Sequence, residues 1–421
     1  METSSRASRF TAAIVALAAM GVIAAPASAD PGDLDPSFSH DGIAYPGKAP
    51  GSPSLVEAQS SGLIVVAGSG GSPESRHLVV RRLSTDGSKD TSFGDAGAYR
   101  NERCRPARGL TESSDGDLFI VSSTCLVKLD ASGAPDLAFA ESGVAQVRRA
   151  DDVAVDVEGR ILVSGSPERT AAVKRFTSAG ARDLEFGTEG KVLIEAFEDP
   201  LGRSPSELAV ADGSYFVVGN VGANPGIASL NEEGDLVPDF GSEGIAVFDT
   251  DRTFGYGEDL EIDQDGSLVL AGFEHFAGIP GDENGFVARF DAGGEPDPDF
   301  GTSGVYRLRP LSENHVRFSS VEVGPDGDIF AAGTFGQACA FSDPECVEES
   351  RASLVKLSGA GQLVPGFGDG GVSLTSLGGL DEYSDLDLLD DGRLVAGGFS
   401  RISDSAEGRA AVAVHFSGLA E

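Results

Sequence analysis

Asp152, Asp259 and Asp385 each stand seven residues before a glycine (Gly159, Gly266, Gly392) that closes a short apolar run. Glu57, Glu261, Glu322 and Asp387 stand two positions further along such runs. Acids repeated at one offset converge if the runs surround a common axis. A ring of carboxylates could supply the hard oxygen ligands that Ca²⁺ takes, which makes Asp152, Asp259 and Asp385 the candidate metal set; the alternative is that the acidity serves only solvation, and no other cofactor is expected. Paired carboxyls at such a place could also work as acid and base on a glycosidic bond. Glu261-Ile262-Asp263-Gln264-Asp265-Gly266 superficially resembles a calcium loop, but the same spacing suits an ordinary hairpin.

A second group combines aromatics with carboxylates. Phe254, Tyr256, His275, Phe276 and Asp282 fall within thirty residues and form a candidate ligand patch. The bland reading is that each ring packs under its own loop. No Ser-His-Asp arrangement or Gly-rich phosphate loop is recognisable, and the chain has no Trp to build a sugar platform. The five His, at 40, 77, 275, 315 and 415, fall at no ligand spacing, which leaves a zinc site little support.

These residues must be held by a repeated scaffold. Phe, usually Gly, two residues, then Gly occurs at Phe38, Phe93, Phe139, Phe186, Phe240, Phe300 and Phe367. A Gly precedes each Phe by six positions, at Gly32, Gly87, Gly133, Gly180, Gly234, Gly294 and Gly361. A fixed offset repeated in this way marks a structural repeat. Asp sits at the third position of that turn in five copies: Asp35, Asp90, Asp136, Asp183 and Asp297. There it can accept turn N–H groups. Each unit also carries two apolar runs around a turn Gly, as in Leu260-Glu261-Ile262 and Leu268-Val269-Leu270. A third run follows, as in Phe286-Val287-Ala288-Arg289-Phe290. Asp precedes the turn Gly in five of seven copies, which predicts type I′ hairpins.

Each unit thus has four short antiparallel strands, A to D, with no amphipathic helix. The fold class is all-β: a seven-bladed β-propeller of four-stranded antiparallel blades, spanning 30–421. The last strand C ends at Phe416, and its missing turn and strand D lie at Gly32 to Tyr45. The N-terminal strand is therefore expected to close the ring, leaving no open end in need of a cap.

The Phe-to-Phe spacings are 55, 46, 47, 54, 60 and 67. The variation sits in the B–C and D–A connections, which emerge on one face; the A–B and C–D turns emerge on the other. Loops on a rigid scaffold commonly carry binding, so the elaborated face is the expected functional one. Four Cys allow three pairings. Cys104 and Cys125 both fall on the elaborated face beside blade 2, and Cys339 and Cys346 share one loop of blade 6. The expected bonds are 104–125 and 339–346.

Residues 1–29 read as a secretory signal peptide: Arg6 and Arg9, an apolar run from Phe10 to Ala25, then Ala27-Ser28-Ala29. An exported protein with disulfides follows. The net charge of −36 repels nucleic acid and anionic membrane and favours solubility. No second apolar run is long enough to span a membrane, and a monomer is expected.

The Gly-x-x-Asp-x-x-Phe-Gly-x-x-Gly turn, the Asp-Gly hairpin and the strand ending in Ala-Gly resemble the bacterial delta-60 repeat family, across essentially the whole chain after residue 29. Strand order also resembles NHL-type propellers. Departures are Ser39 and Ala140 for the first Gly, and Val237 and Val364 for the Asp. The resemblance implies a secreted propeller-like repeat protein and supplies no catalytic residues. The reading from sequence is a secreted module that binds an extracellular ligand or protein on its loop face without chemistry of its own. The alternatives are an extracellular hydrolase or lyase with acidic channel residues, and a purely structural surface protein.

Overall fold

The computed structural model describes residues 30–47, 54–72, 74–166, 170–198, 207–211, 213–250, 252–276, 283–309, 314–337, 349–401 and 408–419. Residues 1–29, Asp282, Cys339 and Cys346 lie outside them, and so does the expected 339–346 bond. The described chain forms seven four-stranded antiparallel sheets, each ordered A-B-C-D. Blade 5 is representative: Phe254–Ile262, Leu268–His275, Glu283–Phe290 and Val305–Leu308. The seventh sheet takes its outer strand from the N-terminus, with Ile43 opposite Ala413 and Ala44 opposite Val412. The ring is therefore closed by the first strand, as the ends of the sequence predict. Successive strands A touch one another around the whole circle and line the central channel.

Strands B and C show no in–out alternation. Ile64–Gly70 is buried at every position, and so is Ile161–Gly165. Both faces of each sheet pack on a neighbour, so these strands read as continuous apolar runs.

The repeated turn has a clear physical role. The residue after each Phe donates its N–H to the carbonyl just before the upstream Gly of the next blade. Examples are Gly94 to Ser132 (2.8 Å), Gly241 to Gly293 (2.7 Å) and Gly301 to Ala360 (2.9 Å). The same bond occurs at all seven junctions, and Gly368 to Pro31 (2.8 Å) carries it across the closure. The Phe ring beside it is buried in every copy. It lies flat against the next blade's Gly: a Cβ on Gly133 would stand 2.7 Å from the Phe93 ring, and one on Gly361 2.9 Å from Phe300. Glycine is required there by contact as well as by its positive φ. The turn aspartates behave as expected, Asp90 Oδ1 accepting from Ser92 N–H (2.8 Å) and Asp297 Oδ1 from Asp299 N–H (3.0 Å).

Outside blade 4, the A–B hairpins differ from the type I′ expectation. In blade 5, Asp263 N–H bonds the Ser267 carbonyl and Gly266 N–H bonds Asp263. Gly266 has φ of +83°, while Asp265 is not among the residues with positive φ. A type I′ turn needs two such residues; one Gly after a type I turn makes a three-residue loop with a bulge. Asp265 instead accepts the Ser267 N–H (2.9 Å).

At the closure, His415 is fully buried between Gly32 and Tyr383. Its Nδ1 lies 3.0 Å from the Gly32 carbonyl and its Nε2 2.8 Å from Tyr383 Oη. Burial pushes the imidazole down to about 4, so the neutral ring donates to Gly32 and accepts from Tyr383.

Candidate functional site

Strand A carries a β-bulge in five blades. The register slips between Ala107 and Gly109, Ala150 and Val153, Gly257 and Asp259, Phe318 and Ser320, and Tyr383 and Asp385. A bulge adds one unpaired residue and re-aims its side chain. Here the added residues are Arg108, Asp151, Glu258, Ser319 and Ser384, and all five line one cavity of about 650 Å³. All seven blades contribute to that cavity, so it is the mouth of the central channel. Arg76 and Arg105, from the B–C and D–A connections, place it on the loop face.

The walls of the mouth differ in charge. Arg76, Arg105 and Arg108 come from the side of blades 1 and 2; Glu207, Glu258 and Glu382 come from blades 4, 5 and 7. Arg108 pairs with Asp151 at 2.7 Å. The Cys104–Cys125 disulfide pins the connection that presents Arg105 and Arg108.

One residue beyond each bulge lies the ring that holds the predicted aspartates. Cross-strand register puts Leu55, Gly109, Asp152, Glu207, Asp259, Ser320 and Asp385 at the same level. The three aspartates tie neighbouring blades together. Asp152 Oδ2 accepts from Leu208 N–H (3.0 Å), Asp259 Oδ2 from Val321 N–H (2.7 Å), and Asp385 Oδ2 from Val56 N–H (2.8 Å). Ser320 Oγ donates a second bond to Asp259 (2.8 Å). The acids of the next level repeat the device: Asp387 accepts from Ala58 N–H (2.6 Å) and Glu57 from Glu112 N–H (3.1 Å). Among the described residues no three of His, Cys, Asp or Glu gather as a metal-binding group.

Crowding these acids around a narrow channel raises their proton affinity. Burial, as the largest cause, pushes Asp152 up to about 7, Glu258 to about 7 and Glu261 to about 8. Asp387 rises to about 6, again mainly through burial. Glu207 stands well above the ordinary range through burial, the charges of Asp152 and Asp259, and a hydrogen bond to Asp152. Near neutral pH the channel therefore holds carboxyls that carry protons, able to donate as well as accept.

The second predicted group is partly assembled. Phe254 faces His275 and Tyr256 faces Phe273 across strands A and B of blade 5. The rings stack at 5.7 and 5.3 Å. Tyr256 and Phe273 are buried, while Phe276 remains 37 % exposed under the Arg252 guanidinium. Arg317 covers Phe273 (4.5 Å) and binds Glu283 through two bonds, and its charge reaches Glu258 and Glu382 at the mouth.

The sequence pattern missed Glu207, because the blade 4 hairpin is one residue shorter and places it six residues before Gly213. It also missed the bulge residues. Their signal was present: Arg108, Asp151, Glu258, Ser319 and Ser384 all lie eight residues before the turn Gly.

The profile of a family described as a domain of unknown function (DUF5122) beta-propeller matches residues 59–93. No curated protein matches the sequence. The solved structure of a polysaccharide lyase, Uly1, is similar at TM-score 0.50 and 9% identity, over 86% of this chain and 89% of that one. A protein of unknown function from Bacteroides caccae gives 0.40 and 11%, over 77% and 99%. Drosophila Semaphorin 1b, extracellular domains 1-2, gives 0.40 and 10%, over 72% and 77%. At such identities the likeness shows the fold alone.

Proposed function

We propose that the protein is an exported binding module that seats its ligand in the channel mouth on the loop face and performs no chemistry of its own. The observation that carries this reading is the divided lining of the mouth. Arginines from blades 1 and 2 face Glu207, Glu258 and Glu382 across a cavity of about 650 Å³. Protonated carboxyls and guanidinium groups together match a ligand rich in hydroxyls that carries an acidic group. The blade 5 residues Phe254, Tyr256, His275 and Phe276, with Asp282, would extend the surface beside the mouth. Export agrees with the Cys104–Cys125 disulfide, and the repeats would be of the delta-60 type.

Calorimetric titration of the chain from Asp30 onward with neutral and uronate-containing oligosaccharides tests the reading. Uronate binding that weakens at least about tenfold in Arg108→Ala and in Glu258→Gln, with the oligosaccharide recovered intact, is the expected result. Equal binding by wild type and both variants would remove the mouth from consideration. A second reading, hydrolase or lyase chemistry, has one observation in its favour: Asp152 and Glu207 are joined by a hydrogen bond, with Glu207 lining the mouth. Carboxyls in direct contact are closer than the roughly 5 Å that lets two acids flank a glycosidic bond, which is why binding is preferred. Shortened products in the titration mixture would reverse that preference.

A further inference from the structure

A groove of about 640 Å³ lies between blades 2 and 3, sharing no residue with the channel mouth. Gln146 and Arg148 enter it from blade 2, and Lys174, Arg182, Thr188 and Lys191 from blade 3. Four cations thus converge in a chain with 67 acidic and 31 basic residues, and Glu189 is the one carboxylate in the lining. Among the described residues none of the four makes an ion pair. Arg182 lies over the Phe176 ring (4.9 Å), and Lys174 Nζ donates to the Arg148 backbone carbonyl (2.8 Å).

Lys174 occupies a place where other blades are apolar. It pairs with Val163 on strand B. The corresponding residues are Val127, Ala228, Ala288, Val355 and Ala413, all buried; blade 1 has Arg81. Lys174 is only 8 % exposed. Burial, then the nearby Arg182 and Lys191 charges, pull its ammonium down to about 8, and Asp151 opposes this. Burying an ammonium without a carboxylate partner is unfavourable, and an acidic chain had carboxylates to spare. The arrangement becomes favourable when an anion arrives from outside.

We propose that this groove is an oxyanion site that takes a terminal phosphate ester, a dianion at neutral pH, or the singly charged terminal sulfate ester of the same shape. Lys174, Lys191 and Arg182 are its charged donors, and the Thr188 hydroxyl and Gln146 amide its neutral ones. The overall charge of −36 repels an extended polyanion such as duplex nucleic acid, so the site suits a short ligand held at close range.

The probes are inorganic phosphate, pyrophosphate and sulfate, titrated by calorimetry against chloride at equal ionic strength. Pyrophosphate is expected to bind, and Lys174→Ala to weaken it at least about tenfold. Alanine already stands at this position in blades 4, 5 and 7, so the variant should fold, which its melting temperature checks. In wild type, saturating pyrophosphate should slow acylation of Lys174, because a bound anion favours the ammonium. Sulfate binding as tight as phosphate identifies a sulfate ester as an acceptable source; a phosphate-only response identifies a phosphate ester. Heats no larger than chloride's, or full binding by folded Lys174→Ala, would overturn the proposal.

Discussion

The turn face and the channel solve the same problem, joining seven blades, in different ways. On the turn face one backbone hydrogen bond and one buried Phe recur at all seven junctions, from Ser39–Asp86 to Gly368–Pro31. Around the channel the corresponding level reads Leu55, Gly109, Asp152, Glu207, Asp259, Ser320 and Asp385, and only three of these repeat one staple. Where backbone groups make the joint, the side chains can be held to Phe and Gly. Where side chains make it, they diverge, and the divergence leaves proton-carrying carboxyls and arginines facing solvent at one end.

The largest test of the contrast lies on the turn face. Phe300→Ala removes a fully buried ring from the junction of blades 5 and 6 and should cost about 3–5 kcal/mol, read from the urea midpoint. A loss below that of the channel variants would mean that the repeated ring is not what holds the blades.

Asp259→Ala should cost less, about 1–3 kcal/mol. It strips the acceptor from Val321 N–H and Ser320 Oγ, while relief of repulsion in the acid ring offsets part of the loss. Asp259→Asn keeps an acceptor and sheds the charge, so at pH 8 it should match or exceed wild type. Equal losses for Ala and Asn in urea unfolding would show that charge, not hydrogen bonding, matters at this level.

The smallest effect should be a pH-dependent gain. Glu261 is raised from the ordinary range to about 8, by burial first and then by the Asp259 and Asp387 charges. A raised carboxyl favours the folded state below its unfolded pKa of about 4.3, and that contribution is lost as pH rises through 8. Glu261→Gln should therefore melt with wild type near pH 4 and a few degrees higher at pH 9, a gain well below the full linkage value of about 5 kcal/mol because the neighbouring acids share the repulsion. A gap that stays constant with pH would contradict the shared-repulsion account of the channel.

The positions of the repeats, the strand order and the N-terminal closure could be read because each rests on local rules. A Gly six residues before a Phe, and an apolar run of fixed length, survive as patterns however long the intervening loops become. The Cys104–Cys125 bond followed from placing both residues on the same face. Outside blade 4 the hairpin type departs from expectation because Asp-Gly serves two turn geometries, which the φ of Asp265 separates in blade 5. Glu207 was invisible because one deleted residue in a hairpin shifts the offset while leaving the register intact.

The sequence by itself determined that this chain makes seven blades and which of its strands completes the last one, since repeat spacing and turn chemistry are properties of neighbours along the chain. Only the tertiary structure decided that the aspartates of strand A tie blades together, that five bulges aim Arg108, Asp151, Glu258, Ser319 and Ser384 into one mouth, and that Lys174, Arg182 and Lys191 of blade 3 meet Gln146 and Arg148 of blade 2. Those outcomes depend on the angle and register at which distant segments meet around an axis, and a linear pattern carries neither.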